Sequence, residues 1–373
     1  MEALKRFIWL VLLLFSSNAM AQTTRYAEPA ANGYIRLFFD HKYYLVDKNC
    51  QYKSIERVAQ FDDAKLQFDG PFKDFNSWGK LILEGHYLNG KKEGTFKAYH
   101  PNGQLKWEVD YKNNFPSGQW KYYYPDGKPM LVLYYDTLHN FTIQQYWNRA
   151  GEHKVVDGNG EYVIRAPIVG YTDQGFRSYS RSGKLANGKP HGVWFTHGQW
   201  RENETGALLF VERFKDGQQQ SVYYEEPYVT EYLDEDDFSF IPTEHFPFAE
   251  VGQKHECNFD NYSGFLEYTK KKFSFLIESL PLERNHREMQ IAVLYVVGKN
   301  GEPIDAKVVE EPQNLNTREK RRLIEIFESM NYFIPSMLDE EPIKDNITIT
   351  LTLHQEDDEI VMTGFNLKRE KGY

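Results

Sequence analysis

Hydrophobic and polar positions follow different rules in successive stretches of the chain. Phe7 to Phe15 (FIWLVLLLF) is an uninterrupted apolar run, preceded by Lys5 and Arg6 and followed by Ala19-Met20-Ala21. A positive start, a short apolar run and an A-x-A site predict an export signal over 1–21, cleaved before Gln22. From about residue 70, aromatics alternate with polar residues, as in Gly118-x-Trp120 and Tyr122-x-Tyr124, which suits strands packed on one face. No period survives between 225 and 260. Beyond it, Met289–Val297 (MQIAVLYVV) and Ile304–Val309 read as strands joined by a turn at Lys299-Asn300-Gly301. Asn316-Thr317-Arg318-Glu319 has capping-box spacing for a helix carrying Leu323, Ile324, Phe327 and Met330. Ile347, Ile349, Leu351 and Leu353 then alternate with Thr348, Thr350 and Thr352, a half-buried strand. A further helix is expected from Gly264 to Leu280, which makes the order α-β-β-α-β.

Within the aromatic stretch the pattern repeats every 24 residues. Asp69-Gly70-Pro71-Phe72-Lys73 returns as Glu93-Gly94-Thr95-Phe96-Lys97 and as Ser117-Gly118-Gln119-Trp120-Lys121. Phe75, Tyr99, Tyr123 and Trp147 keep the same step, as do Gly79, Gly103, Gly127 and Gly151. Each unit has N-G or D-G turn signals and reads as a β-hairpin, and a lone hairpin must stack on neighbours to be stable. Another copy resumes at Asn187-Gly188 and runs to Asp216-Gly217, leaving 152–186 as either an irregular insertion or diverged units.

These residues resemble the MORN repeat, best in Tyr87–Gly103 and Tyr111–Gly127, and more loosely in 70–79 and 187–217. The resemblance implies a curved, single-layer antiparallel sheet of stacked hairpins. It implies no transferable catalytic residue; related proteins are linked to lipid contact and protein scaffolding. The strand and helix order from 260 to 354 looks like the C-terminal domain of TonB-type energy transducers, with Tyr332-Phe333-Ile334-Pro335 where that family has an aromatic before a Pro. Phe273-Ser274 stands where the family has Tyr-Pro, and the chain has no long proline-rich arm. The resemblance therefore implies the module's binding mode, an exposed edge that accepts a partner strand, rather than energy coupling.

Charge sharpens the division. The net charge is −10, and residues 225–260, with eleven acids and one base, account for all of it. An acidic chain with no basic cluster argues against nucleic acid as a partner. Acid-rich, Pro-containing sequence tends to extend, so 225–260 is expected as an interdomain linker. Its aromatics (Tyr228, Tyr232, Phe238, Phe240, Phe246, Phe248) are placed to pin parts of it to a neighbour. The run Asp234-Glu235-Asp236-Asp237 lacks the spacing of a calcium loop and reads as solvated acid. Cys50 and Cys257 either bridge or stay separate; spacing alone decides nothing.

The expected architecture is thus mainly β plus α+β: signal 1–21, MORN-like sheet 22–224, acidic linker 225–260, TonB-like domain 261–356 and polar tail 357–373. No catalytic motif, cofactor motif or paired metal spacing is found; His255-Glu256-Cys257 stands alone, and Gly158-x-Gly160 is a turn. Most of the aromatics are expected to cover the sheet itself. Trp107, Tyr122 and Tyr124 are singled out as a candidate binding surface, with Ile347, Ile349 and Leu351 on the strand-adding module. The functional expectation is a noncatalytic adaptor that binds an envelope protein, with lipid or glycan binding through the aromatic face as the alternative. The expected location is the periplasm or, after release, outside the cell, with no transmembrane segment once the signal is removed.

Overall fold

The computed structural model describes residues 25–168, 175–200, 205–225, 238–257, 264–278, 288–310, 315–330, 332–356 and 359–372. The expected export signal over 1–21, the Asp234–Asp237 run, Tyr228 and Tyr232 lie outside them.

The repeat region folds as one antiparallel meander of 17 strands, from Ala27–Pro29 to Gln218–Tyr224. Each 24-residue unit supplies one hairpin, as Gly94–Tyr99 with Leu105–Lys112 and then Phe115–Tyr123 with Pro129–Tyr135. Two turn types alternate. At Asn89-Gly90 both residues are left-handed, with φ of 50° and 76°, the twist a two-residue hairpin turn requires. At the other end, Gly103 (φ 85°) closes a wider turn in which the Gly103 N–H donates to the His100 carbonyl, and Gly127 repeats that turn 24 residues on. The segment 152–186, left open between insertion and diverged units, carries diverged strands: His153–Val156, Asn159–Pro167 and Ser178–Ala186 all pair in the sheet.

Alternation sorts the side chains onto two faces. Outward, Lys73, Glu84, Lys97, Glu108 and Lys121 lie side by side across neighbouring strands, a row of alternating sign that suits a solvated face. Inward, Phe72, Tyr87, Phe96, Trp107, Tyr111 and Trp120 form a continuous buried row. Close packing shows at Gly183, paired across the strands with Trp194: a Cβ there would lie 2.4 Å from the indole.

The C-terminal module has a second antiparallel sheet, in the order Pro303–Glu310, Met289–Val297, Asp345–Glu356, Glu359–Lys371. Helices α1 (Phe265–Glu278) and α2 (Thr317–Glu328) contribute Phe273, Ile277, Leu323, Ile326 and Phe327 to its core. The capping box expected at Asn316 is present: its side chain accepts from Arg318 N and Glu319 N, and Glu319 accepts from Asn316 N. The stretch read as a polar tail, 357–373, instead contains the edge strand Glu359–Lys371. Its inward positions include Leu367 and Arg369, and the arginine is neutralised there by Asp345, so polarity hid a period-two pattern.

Candidate functional site

A segment of the chain lies across the inner face of the repeat sheet. Residues 238–257, expected as part of a linker, form a strap running from the late strands back to the early ones. At its start, Tyr162 and Tyr179 hydroxyls donate to the Phe240 and Ser239 carbonyls at 2.8 and 3.0 Å, and Arg181 donates to the Phe238 carbonyl. In the middle, Phe246 is buried among Phe96, Trp107 and Tyr111. Further on, Glu250 takes Lys92 Nζ at 2.7 Å and the Tyr87 hydroxyl at 2.8 Å. Lys254 bridges to Leu45, and Cys257 is disulfide-bonded to Cys50. At about 4.8 Å per strand, the sheet between these anchors is roughly 50 Å along its surface, whereas the segment from Phe238 to Lys254 with its helical turn reaches about 45 Å. The strap follows a chord, and the sheet curves around it.

Arginines buried in this face are each neutralised. Arg57 makes a two-pronged pair with Asp74 at 2.7 and 2.9 Å, both side chains wholly buried, and the Tyr43 hydroxyl caps Asp74. Arg181 pairs with Glu212, and its guanidinium lies 3.7 Å from the centre of the Phe240 ring.

Where strap, sheet and C-terminal module meet, a cavity of about 90 Å³ is lined by charged groups. The loop after Tyr34–Phe39 supplies His41, strand Leu105–Lys112 supplies Lys106 and Trp107, the strap supplies Glu244 and His245, and the Met337–Pro342 hairpin supplies Glu340. Burial pushes His41 and His245 down to about 4, with Lys42 adding to both. Burial raises Glu244, against the pull of Lys106. For Lys106, burial opposes the charge but Glu244 and Glu340 outweigh it, and its value rises. At the hairpin tip Asp339 and Glu340 both have left-handed φ, 53° and 65°, uncommon for a glutamate. Contacts hold that tip: the Asp339 carboxylate accepts from Ser77, the Asp339 N–H donates to Ser54 Oγ, and Glu340 lies 3.6 Å from Lys106. The cluster is a charge-compensated joint. Among the described residues no group of His, Cys, Asp or Glu is arranged to hold a metal ion.

The singled-out residues fall differently. Trp107 and Tyr122 are cross-strand neighbours, but they face the strap and are 0% and 3% exposed, so they are core rather than surface. Tyr124 is half-buried at a strand end, its hydroxyl donating to the Trp147 carbonyl. Ile347, Ile349 and Leu351 are buried in the core of the C-terminal module, because the alternation that exposes their threonine neighbours turns them inward. Sequence reasoning missed Arg181, Tyr162 and Tyr179; their signal is weak, a polar side chain at an inward position of an aromatic strand. The exposed apolar residues of the module include instead Ile304 and Val309, on the edge strand Pro303–Glu310, and Phe275 and Ile324, on the two helices.

Comparison with known proteins bears on the repeat. Residues 92–113 and 116–136 match the MORN repeat variant. MORN repeats are generally non-catalytic. The matched segments cover the hairpins whose inner face receives Phe246 and Glu250. No curated protein matches the chain. Among solved structures, a mutant of S. aureus TarM in complex with Fondaparinux, alpha-GlcNAc-glycerol and UDP is similar over 39% of this chain and 24% of that one, at 11% identity and a TM-score of 0.14. No helix among the described residues is long and apolar enough to cross a membrane.

Proposed function

We propose that the protein is a noncatalytic adaptor of the cell envelope, exported by its first 21 residues, that binds a partner protein. The observation that carries this reading is the edge strand Pro303–Glu310 of the C-terminal module. Among the described residues it pairs on one side only, with Met289–Val297, and it exposes Ile304 (62%) and Val309 (50%). An open edge of this kind accepts an added strand through its main chain and selects it through the flanking side chains. The opposite edge is Glu359–Lys371, where Gln51 of the repeat region already engages the main chain by donating to the Arg369 carbonyl and accepting from Lys371 N, so strand addition in the manner of a TonB-like module falls to the Pro303 side. The alternative, lipid or glycan binding, rested on the aromatic face; in this conformation the strap covers that face, which leaves the adaptor reading better supported.

Capture from envelope extract with the full mature chain tests it. A discrete envelope protein retained by the wild type and lost with the Ile304→Lys/Val309→Lys variant is expected. Retention that ignores the two lysines, or no retained protein, contradicts the reading. Partner-free sedimentation with liposomes or polysaccharide would favour the alternative.

A further inference from the structure

The start of the strap is held like a bound peptide. Three consecutive carbonyls, of Phe238, Ser239 and Phe240, accept from Arg181, Tyr179 and Tyr162, donors on two adjacent strands. Consecutive carbonyls of a pleated strand point to opposite sides, so this segment is bent. Ser239 Oγ makes the bend by accepting from Ile241 N at 3.1 Å. Each phenylalanine has its own aromatic surround. Phe238 meets Tyr179 and Phe210 edge-on at 5.0 and 5.2 Å; Phe240 meets Trp194 and Phe214 edge-on at 4.9 and 5.5 Å, with the Arg181 guanidinium over its ring. Main-chain capture recognises a bent peptide of any sequence, while the two ring sites select phenylalanine.

We infer that the concave face around Arg181 is a recognition groove for a Phe-Ser-Phe or Phe-Thr-Phe segment of a partner protein, held closed in this conformation by the chain's own Phe238-Ser239-Phe240. The groove donors all belong to the sheet, and they survive removal of the strap's rings. The segment is tethered through Cys257 to Cys50 some distance along the strap, so exchange at its start does not require release of that far end. An intramolecular occupant lowers the apparent affinity of a partner in proportion to the fraction of time the groove is closed. The inference rests on the adaptor reading only in assigning the occupant to a partner protein.

The test uses the full mature chain and a fluorescent peptide with the sequence of residues 238–246, FSFIPTEHF. A control peptide carries serine in place of the first two phenylalanines. The strap-emptied variant Phe238→Ser/Phe240→Ser is expected to bind the peptide at least about tenfold more tightly than the wild type and than it binds the control. Adding Tyr162→Phe and Tyr179→Phe to that variant is expected to weaken binding several-fold. Equal binding of both peptides, or none by a strap-emptied chain with an intact unfolding transition, overturns the groove. Should that variant fail to fold, hydrogen exchange on the wild type decides. Faster exchange at 238–241 with the peptide and not with the control supports the groove; no change at about 1 mM peptide overturns it. Partner capture from envelope extract is a separate readout: its failure strikes the adaptor reading, whereas failure of peptide binding strikes the groove alone.

Discussion

The repeat sheet and the C-terminal sheet both bury one face, and they cover it with different material. In the C-terminal module two regular helices lie on four strands, and the buried strand positions are mostly aliphatic, as at Ile291, Val293, Val297, Ile347, Ile349 and Leu351, with the ring of Tyr295 among them. Over the repeat sheet there is one irregular strap, too thin to fill the space that a helical layer fills. The sheet compensates with large rings. Residues 70–147 hold 18 Phe, Tyr or Trp, against 4 in residues 288–354. A close-packed interior leaves few voids, so a thin cover demands long side chains beneath it. The buried part of the aromatic excess, eight of those 18 rings, therefore records what covers the sheet, beyond the fact that the sheet is a repeat.

Both sheets also bury an arginine–carboxylate pair, and substituting the arginine gives the largest expected effect. Arg181→Met leaves Glu212 buried without its cation, and Arg369→Met does the same to Asp345, whose pair is wholly buried. Each is expected to cost about 3–5 kcal/mol in urea unfolding. The comparison sharpens if Arg181→Met lowers the midpoint of the repeat sheet alone. Arg369→Met is expected to loosen both regions, because Tyr52 of the repeat sheet donates to Asp345 at 3.0 Å. Equal effects of the two variants on both regions would erase the distinction.

Opening the disulfide comes next. It closes a loop of 207 residues and anchors the strap's far end, while no disulfide ties down the helices of the C-terminal module. Cys257→Ser is expected to cost about 2–4 kcal/mol, read as a lower thermal midpoint of the repeat sheet with little change in the module.

Acid is expected to act at the joint between the two. His41 and His245 have folded values near 4, below their ordinary 6.5. The unfolded chain thus binds more protons between those values, so stability is complete above about pH 6.5 and falls as pH drops toward 4. Glu244, raised by burial, has the opposite sign and offsets part of the loss. Asp40, Lys42, Lys106 and Glu340 face the same cluster and move this window. Melting between pH 7 and 4.5 checks it, and His41→Phe/His245→Phe should flatten the profile.

The smallest effect belongs to the covering helices. Asn316→Ala removes the cap of α2 and is expected to cost about 1 kcal/mol, visible in the module's unfolding and absent from that of the repeat sheet.

Much of this fold is legible in residue order. The 24-residue step locates the hairpins, Asn89-Gly90 and Gly103 mark the turns, and Asn316 to Glu319 marks a helix start. Two features escaped because their meaning is tertiary. Phe238, Phe240 and Phe246 are legible as pins for the acidic stretch, but that this stretch forms a second layer is not: only the ring surrounds of Trp194, Phe214 and Trp107 make them core. Strand Glu359–Lys371 escaped because Arg369 occupies an inward position and only Asp345 makes that tolerable. The candidate surface failed for a related reason. Alternation shows that Trp107 and Tyr122 share a face without showing whether that face meets water or chain.

Hydrogen exchange across residues 238–257 of the intact protein tests most directly that this acidic segment is the second layer of the repeat sheet. Phe248, Ala249 and Glu250 donate within the helical turn, and His255 N donates to the Leu45 carbonyl. These amides are expected to exchange with the slow rates of the sheet, and to lose that protection when Cys257→Ser frees the strap's end. Exchange at the rate of an unstructured linker in the native, disulfide-bonded protein would contradict the account.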